Sequence, residues 1–204
     1  MPQGGNVTDV EQPEDRDPTP PGLRLVRDLI NTLDVATGAD ALATADGLAA
    51  FTREHGLTGL EPAKPGLPEL VRLREGLRAV CLAHAHPGTP VPPETAAELA
   101  GLLRRTPLTV VFDATGTAAL EPVLPGGPGG PATGVTALTA RIAAAVAAAA
   151  ADGTWARLKA CEAGDCHWAY YDRSPAARRR WCDMAVCGSR AKMRTYRARR
   201  SSRS

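Results

Sequence analysis

The sequence holds no uninterrupted apolar run of about 18 residues, the length a membrane-spanning helix needs. The Ala-rich stretch 142–151 is too short and too weakly apolar to serve as one. The opening MPQGGNVTDVEQPEDRDPTPP lacks the basic segment and apolar core of a secretion signal. These absences predict a cytoplasmic protein with no membrane partner. In that compartment cysteines bind metal or do chemistry more often than they form disulfides. A phosphate-binding glycine loop, a nucleophile motif and paired catalytic carboxylates are also missing, so no enzyme is expected. No repeat of about 20–50 residues is visible either. Lysine is scarce: Lys64, Lys159 and Lys192 stand against 21 Arg, a usage that GC-rich coding imposes.

Coding bias does not explain where the charge lies. Residues 155–204 carry 13 Lys and Arg against 4 Asp and Glu, a net +9, while residues 1–154 carry 11 against 18, a net −7. An acidic body with a basic C-terminal quarter points to a polyanionic partner for that quarter.

Residues 1–21 are polar, acidic and proline-rich and are expected to form a disordered leader. From Gly22 the spacing of Leu23, Val26, Ile30 and Leu33 predicts a helix. A second runs from Thr44 to His55, with Leu48 and Phe51 inward and Gly56 as its stop. A third spans Leu67 to Ala85, with Pro68 in its first turn, a stripe of Leu70, Leu73, Leu77 and Val80, and Cys81 and Leu82 at the margin. The lone Cys81 reads as a small core hydrophobe. A fourth helix covers Pro93 to Arg105, carrying Leu99, Leu102 and Leu103. The period then changes: 108–112 and 117–123 read as a hairpin around Thr115-Gly116. Residues 125–131, PGGPGGP, form a loop, and a fifth helix follows from Val135 to Ala151. His55, His84 and His86 read as residues at helix ends.

Four of the five cysteines fall as Cys161-x4-Cys166-x15-Cys182-x4-Cys187. Two pairs separated by such a spacer present four thiolates to one tetrahedral ion, which suits a single structural Zn2+. Free or redox thiols are the alternative, and His167 could replace one sulfur. A zinc ion with four thiolates carries a net negative charge, so Arg157, Lys159, Arg179, Arg180 and Arg190 could serve as its neighbours rather than as contacts to a partner. Residues 167–171 read as a short strand with Trp168 and Tyr170 on one face. Ser174 and Pro175 then read as the N-cap and first residue of a brief helix that leads into Cys182.

From Ser189 to Arg200 the sequence is helical and basic. A last cysteine at the start of a terminal helix is the treble-clef arrangement, and so small a module needs its metal to fold. Arg190, Arg194 and Arg197 form a ridge that Lys192, Arg199 and Arg200 widen, while Met193 and Tyr196 are placed to pack back on the knuckles. The candidate nucleic-acid contacts are these six cations with Arg178 and Arg179. DNA is the expected partner. RNA, stacked on Trp168 and Tyr170, or an acidic protein surface are the alternatives.

The stretches 157–161, 166–174, 179–184 and 187–192 resemble the CGNR zinc finger. Residues 28–34, DLINTLD, and 73–77, LREGL, resemble motifs of the ABATE domain that accompanies it. The resemblance implies a bacterial stress-induced transcription regulator, with Cys161, Cys166, Cys182 and Cys187 as zinc ligands and a finger that binds DNA. Arg190 and Lys192 would then belong to the start of the signature helix. Ser189 stands where the signature has Asn; it keeps the ability to cap a helix but not a bidentate base contact. Asn31 and Thr32 either line a ligand pocket or fix helix packing. The fold expected is a mainly α N-terminal domain with a small β hairpin (22–153), followed by a four-cysteine, treble-clef-like finger (154–204), with dimerisation through the body plausible.

Overall fold

In the computed structural model, residues 19–57, 66–123 and 134–201 are described. The chain folds as α1 (Pro21–Asn31), α2 (Ala45–Glu54), α3 (Leu67–Ala85), α4 (Pro93–Leu103), β1 (Leu108–Phe112), β2 (Ala118–Pro122), α5 (Gly134–Ala151), β3 (Leu158–Ala160), β4 (Ala169–Tyr171) and α6 (Ser189–Ser201). The five helices of the body, its hairpin and a terminal helix behind a cysteine-bearing hairpin match the fold class expected. Residues 1–18 of the expected leader and the 125–131 loop lie outside the described residues. The last residues of that leader belong to the fold: Thr19 is buried and accepts from Arg27, and Pro21 opens α1.

The helices end where the sequence chemistry stops them. Thr44 caps α2 through Gly47 N–H, and Gly153 follows α5 at φ +77, a left-handed turn that glycine adopts without strain. α3 is the axle of the body, packing against α1, α4, α5 and β3. Its Gly76 lets α4 approach, since a Cβ there would meet Leu99 Cβ at 3.3 Å. Leu70, Leu73, Leu77 and Cys81 are fully buried along α3. Cys81 therefore sits at the centre of the stripe rather than at its margin, and Val80 takes the edge. Burial pushes the Cys81 thiol far up, outweighing the nearby Arg78 charge, so it behaves as a hydrophobe.

The hairpin pairs Leu108 with Pro122 and Phe112 with Ala118. α5 is 18 residues long and, by length and composition, apolar enough to cross a membrane, which the stretch 142–151 alone did not suggest. Its Leu138 and Ile142 are wholly buried in the protein core, which the helix enters against α1.

One core runs through both parts of the chain. Leu158, Ala160, Ala169 and Tyr171, from the β3–β4 hairpin, belong to the same buried cluster as Leu29, Ile30 and Leu77 of the helical body. Alternation along β4 sends the next residue, Tyr170, into a second small cluster with Cys161, Ala163 and Cys187. The hairpin thus has one face in each core.

Candidate metal centre and basic helix

The centre is assembled by two tight turns. Cys161 follows β3 and Cys166 ends the turn that leads into β4, where Cys166 N–H donates to Ala163 O and Cys161 N–H to Trp168 O. Between the cysteines of the second pair a π-turn begins, Met184–Gly188, whose start is capped by Asp183 Oδ1 accepting from Ala185 and Val186 N–H. Cys187 lies in that turn, directly before α6. The four sulfurs lie within 4.8 Å of one another. Cys166 and Cys182 Sγ are 3.7 Å apart, and Cys182 and Cys187 Sγ 3.8 Å. A tetrahedron with zinc–sulfur bonds of about 2.3 Å has edges of about 3.75 Å, so these separations fit one ion.

The protonation chemistry of the set points the same way. Hydrogen bonds from Cys166 and Cys182 hold the Cys161 thiol far below its usual range. The same contacts push Cys166 up to about 12 and Cys182 further still. Crowded thiolates repel one another, and a divalent ion among the four sulfurs offsets that repulsion. Four thiolates close every position of a tetrahedral ion, which makes the site structural. His167 is not needed. Its backbone takes φ +53 at the turn, and its carbonyl accepts from Arg78 Nη1 at 3.1 Å.

The surrounding cations divide into two groups. Arg190 Nη2 donates to Cys187 Sγ at 3.2 Å, and its Nη1 pairs with Asp165 at 3.0 Å. Arg179 Nη2 donates to Cys182 O, and its guanidinium lies 5.0 Å from the Tyr170 ring centre. The others brace the chain. Buried Lys159 donates to Asp172 Oδ2 at 2.8 Å and to the carbonyls of Ala177 and Arg179. Arg157 holds the carbonyls of Asp172 and Ser174, and Arg180 pairs with Glu162.

Several expectations change here. Residues 174–177 form a turn rather than a helix, with Ala177 at φ +47. The reason is Asp172, which is wholly buried and accepts from Ser174 N–H and Oγ–H, Arg179 N–H and Lys159. Those bonds wrap the backbone around one carboxylate and use the Ser174 side chain that would have capped a helix. Tyr170 is 6% exposed, with its hydroxyl donating to Arg179 O, so it offers no face to a base. Met193 and Tyr196 are not packed away as expected: they are 51% and 60% exposed.

In the body, Asn31 Nδ2 donates to Ala169 O at 3.0 Å and its Oδ1 accepts from Ala169 N–H at 2.7 Å. Thr32 Oγ donates to Leu29 O and accepts from Arg74. Both side chains are engaged inside the protein. His84 is not an exposed helix end: its Nδ1 is 2.8 Å from Leu158 O and its ring meets Trp155 edge-on. His86 is half exposed, on Glu162.

Sequence reasoning missed three participants. Arg78, 4% exposed, donates to Ile30 O, His167 O and Glu75, and so ties α1, α3 and the knuckle together. Arg74 is equally buried, on Asp40. A buried Arg on an amphipathic helix carries no sequence mark that separates it from a solvated one. The third is a cluster of Asp28, Glu54 and His55, in which His55 Nε2 and Asp28 Oδ2 face one another at 3.3 Å while Arg27 pairs with the same carboxylate.

The profile of the CGNR zinc finger matches residues 157–200. The profile of ABATE, described as "Putative stress-induced transcription regulator", matches residues 23–153, well over half of the chain. The chain belongs to the ABATE family. No curated protein matches it. In this ABATE protein the CGNR finger carries the four clustered cysteines of one structural zinc site. Its α6 presents Arg190, Lys192, Arg194, Arg197, Arg199 and Arg200 with no acidic residue in the helix.

Proposed function

We propose that the protein is a zinc-dependent, DNA-binding transcription regulator of the cytoplasm, in which the finger docks α6 on DNA and the helical body senses a signal or mediates assembly. The observation that carries this reading is the placement of α6: a helix with six cations and no carboxylate starts two residues after the zinc ligand Cys187. Zinc would fix the start of the helix, and residues 192–200 beyond it are exposed. Such a helix matches the phosphate backbone and the width of a major groove. Arg178, beside Arg179 in the loop that enters Cys182, extends the basic surface.

The test is binding of duplex DNA to the intact zinc-loaded protein across a salt series. Binding that weakens steeply with salt and is lost on chelation supports the proposal. Arg194→Glu with Arg197→Glu removes the binding and leaves zinc content intact, because neither residue is a ligand. Apo protein that binds as well as the zinc form, or a double variant that binds normally, overturns the role given to α6.

A further inference from the structure

The cations of α6 differ in what they touch. Arg190 pairs with Asp165 at 3.0 Å and donates to the sulfur of Cys187, while Arg194 lies 3.9 Å from Asp165 and also borders a groove. That groove, of about 470 Å3, is lined from α6 by residues 192, 194, 195, 196 and 199, and from the preceding segments by Arg180, Trp181 and Glu162. A groove of that size falls in the range of small-molecule sites.

The lining combines two aromatic rings with four cations. Trp181 and Tyr196 both line it, and Arg180, Lys192, Arg194 and Arg199 supply the positive charge. One carboxylate, Glu162, lies among them and is already committed: it accepts from Arg180 Nε at 2.7 Å and from His86 at 2.7 Å. That pairing also lays the Arg180 guanidinium 5.1 Å from the centre of the Trp181 ring. Trp181 is packed in part against the cysteine cluster, so its ring is held before any ligand arrives. Tyr196 is 60% exposed, so its ring is accessible from solvent.

We propose that the groove between Trp181 and Tyr196 binds an unpaired nucleotide of a DNA strand, its base stacked on the aromatic side chains and its phosphates on Lys192, Arg194 and Arg199. Flat rings flanked by cations are the chemistry of a base with its phosphates, since every base offers a π face whatever its sequence. A paired base in an intact duplex cannot enter, because its faces are covered by its neighbours. The finger therefore takes hold of melted, flipped or single-stranded DNA through this groove, while the duplex is held by backbone charge.

The inference rests on the nucleic-acid reading above, and the experiment separates the two. Anisotropy is measured on the full-length zinc-loaded protein with a labelled oligothymidine strand, an abasic strand of equal length, and a mixed-sequence duplex. Tyr196→Ala is expected to weaken oligothymidine binding by about tenfold while changing duplex binding less than about twofold, with bound zinc unchanged. The abasic strand is expected to bind the intact protein about as weakly as oligothymidine binds the variant. Because Trp181 contributes to packing, Trp181→Phe accompanies Trp181→Ala, and restored strand binding in the Phe variant assigns the loss to the ring. Oligothymidine binding that Tyr196→Ala leaves intact, equal losses for strand and duplex, or binding of duplex alone overturns the groove and leaves the regulator reading standing. Failure to bind either form overturns both.

Discussion

Asn31 on α1 and Ala169 on β4, 138 residues apart, exchange both amide hydrogen bonds: Ala169 N–H donates to Oδ1 at 2.7 Å and Nδ2 donates to Ala169 O at 3.0 Å. The side chain thus extends the β3–β4 sheet by one strand-like rung and pins the finger to the body. Ala169 is 1% exposed, so no water replaces either bond if the amide is lost. Asn31→Ala is expected to cost about 2 kcal/mol. Asn31→Asp should cost at least as much, because it sets a carboxylate oxygen against the Ala169 carbonyl. Thermal melting of both variants, with proteolysis of the segment between α5 and β3, checks this; unchanged melting would show that the pin is redundant.

Metal removal should be felt beyond the finger. Leu158 and Tyr171 share the main core with Leu29 and Leu77, so the hairpin that carries Cys161 and Cys166 is also part of the body. Cys182→Ser, or chelation, is expected to release one zinc and to lower the melting of the whole chain in one transition, because loss of metal is loss of folding free energy. Two separate transitions, with the body's unmoved, would contradict the shared core.

Arg190 is expected to act on the metal more than on DNA. Its Nη2–H···Sγ contact to Cys187 at 3.2 Å delocalises thiolate charge. Arg190→Ala should weaken zinc retention in competition with a chromophoric chelator by about tenfold or more. Retention equal to that of the unaltered protein would return Arg190 to the DNA-facing group.

The Lys159–Asp172 pair organises the turn at 174–177. Both side chains are at or near full burial and are joined at 2.8 Å. Lys159→Met leaves the carboxylate buried and unpaired and is expected to cost about 3–5 kcal/mol in chemical denaturation. Asp172→Asn keeps the shape and loses the charge, and should cost less. Equal costs would mean that shape rather than charge holds the turn.

Acid should destabilise the fold in two steps. Burial lowers the His84 pKa from 6.5, a shift the hydrogen bond to Leu158 O offsets only in part. Burial raises that of Asp172, but the bonds from Lys159, Ser174 and Arg179 N–H outweigh it and bring it to about 2. Each folded pKa is depressed, so the unfolded chain binds more protons in the window between folded and unfolded values, and stability drops there as the pH is lowered. His84 contributes fully above pH 6.5 and loses its share below it; Asp172 loses its share as pH falls from 3.8 toward about 2. His84→Gln keeps a donor for Leu158 O and should flatten the upper part of the melting profile. A variant profile parallel to the original would refute the assignment.

The helices of the body, the terminal helix, the 108–122 hairpin and the cysteine set were legible in the residues alone. Leu67–Ala85 and Pro93–Leu103 follow from apolar period and proline placement, and four thiols at paired spacing admit few other uses. These are local signals, written within one turn or one knuckle. Only the tertiary structure decided which polar residues were spent inside. Asn31, Arg78 and His84 look like helix-surface residues until β3 and β4 fold against them and their donors meet the hairpin's backbone carbonyls. Asp172 likewise cancels a helix that Ser174-Pro175 encodes locally, because a buried carboxylate must collect its hydrogen bonds from whatever backbone lies within reach. The partners of α6 were set the same way: Asp165 pairs with Arg190, and Tyr196 comes to share a groove with Trp181.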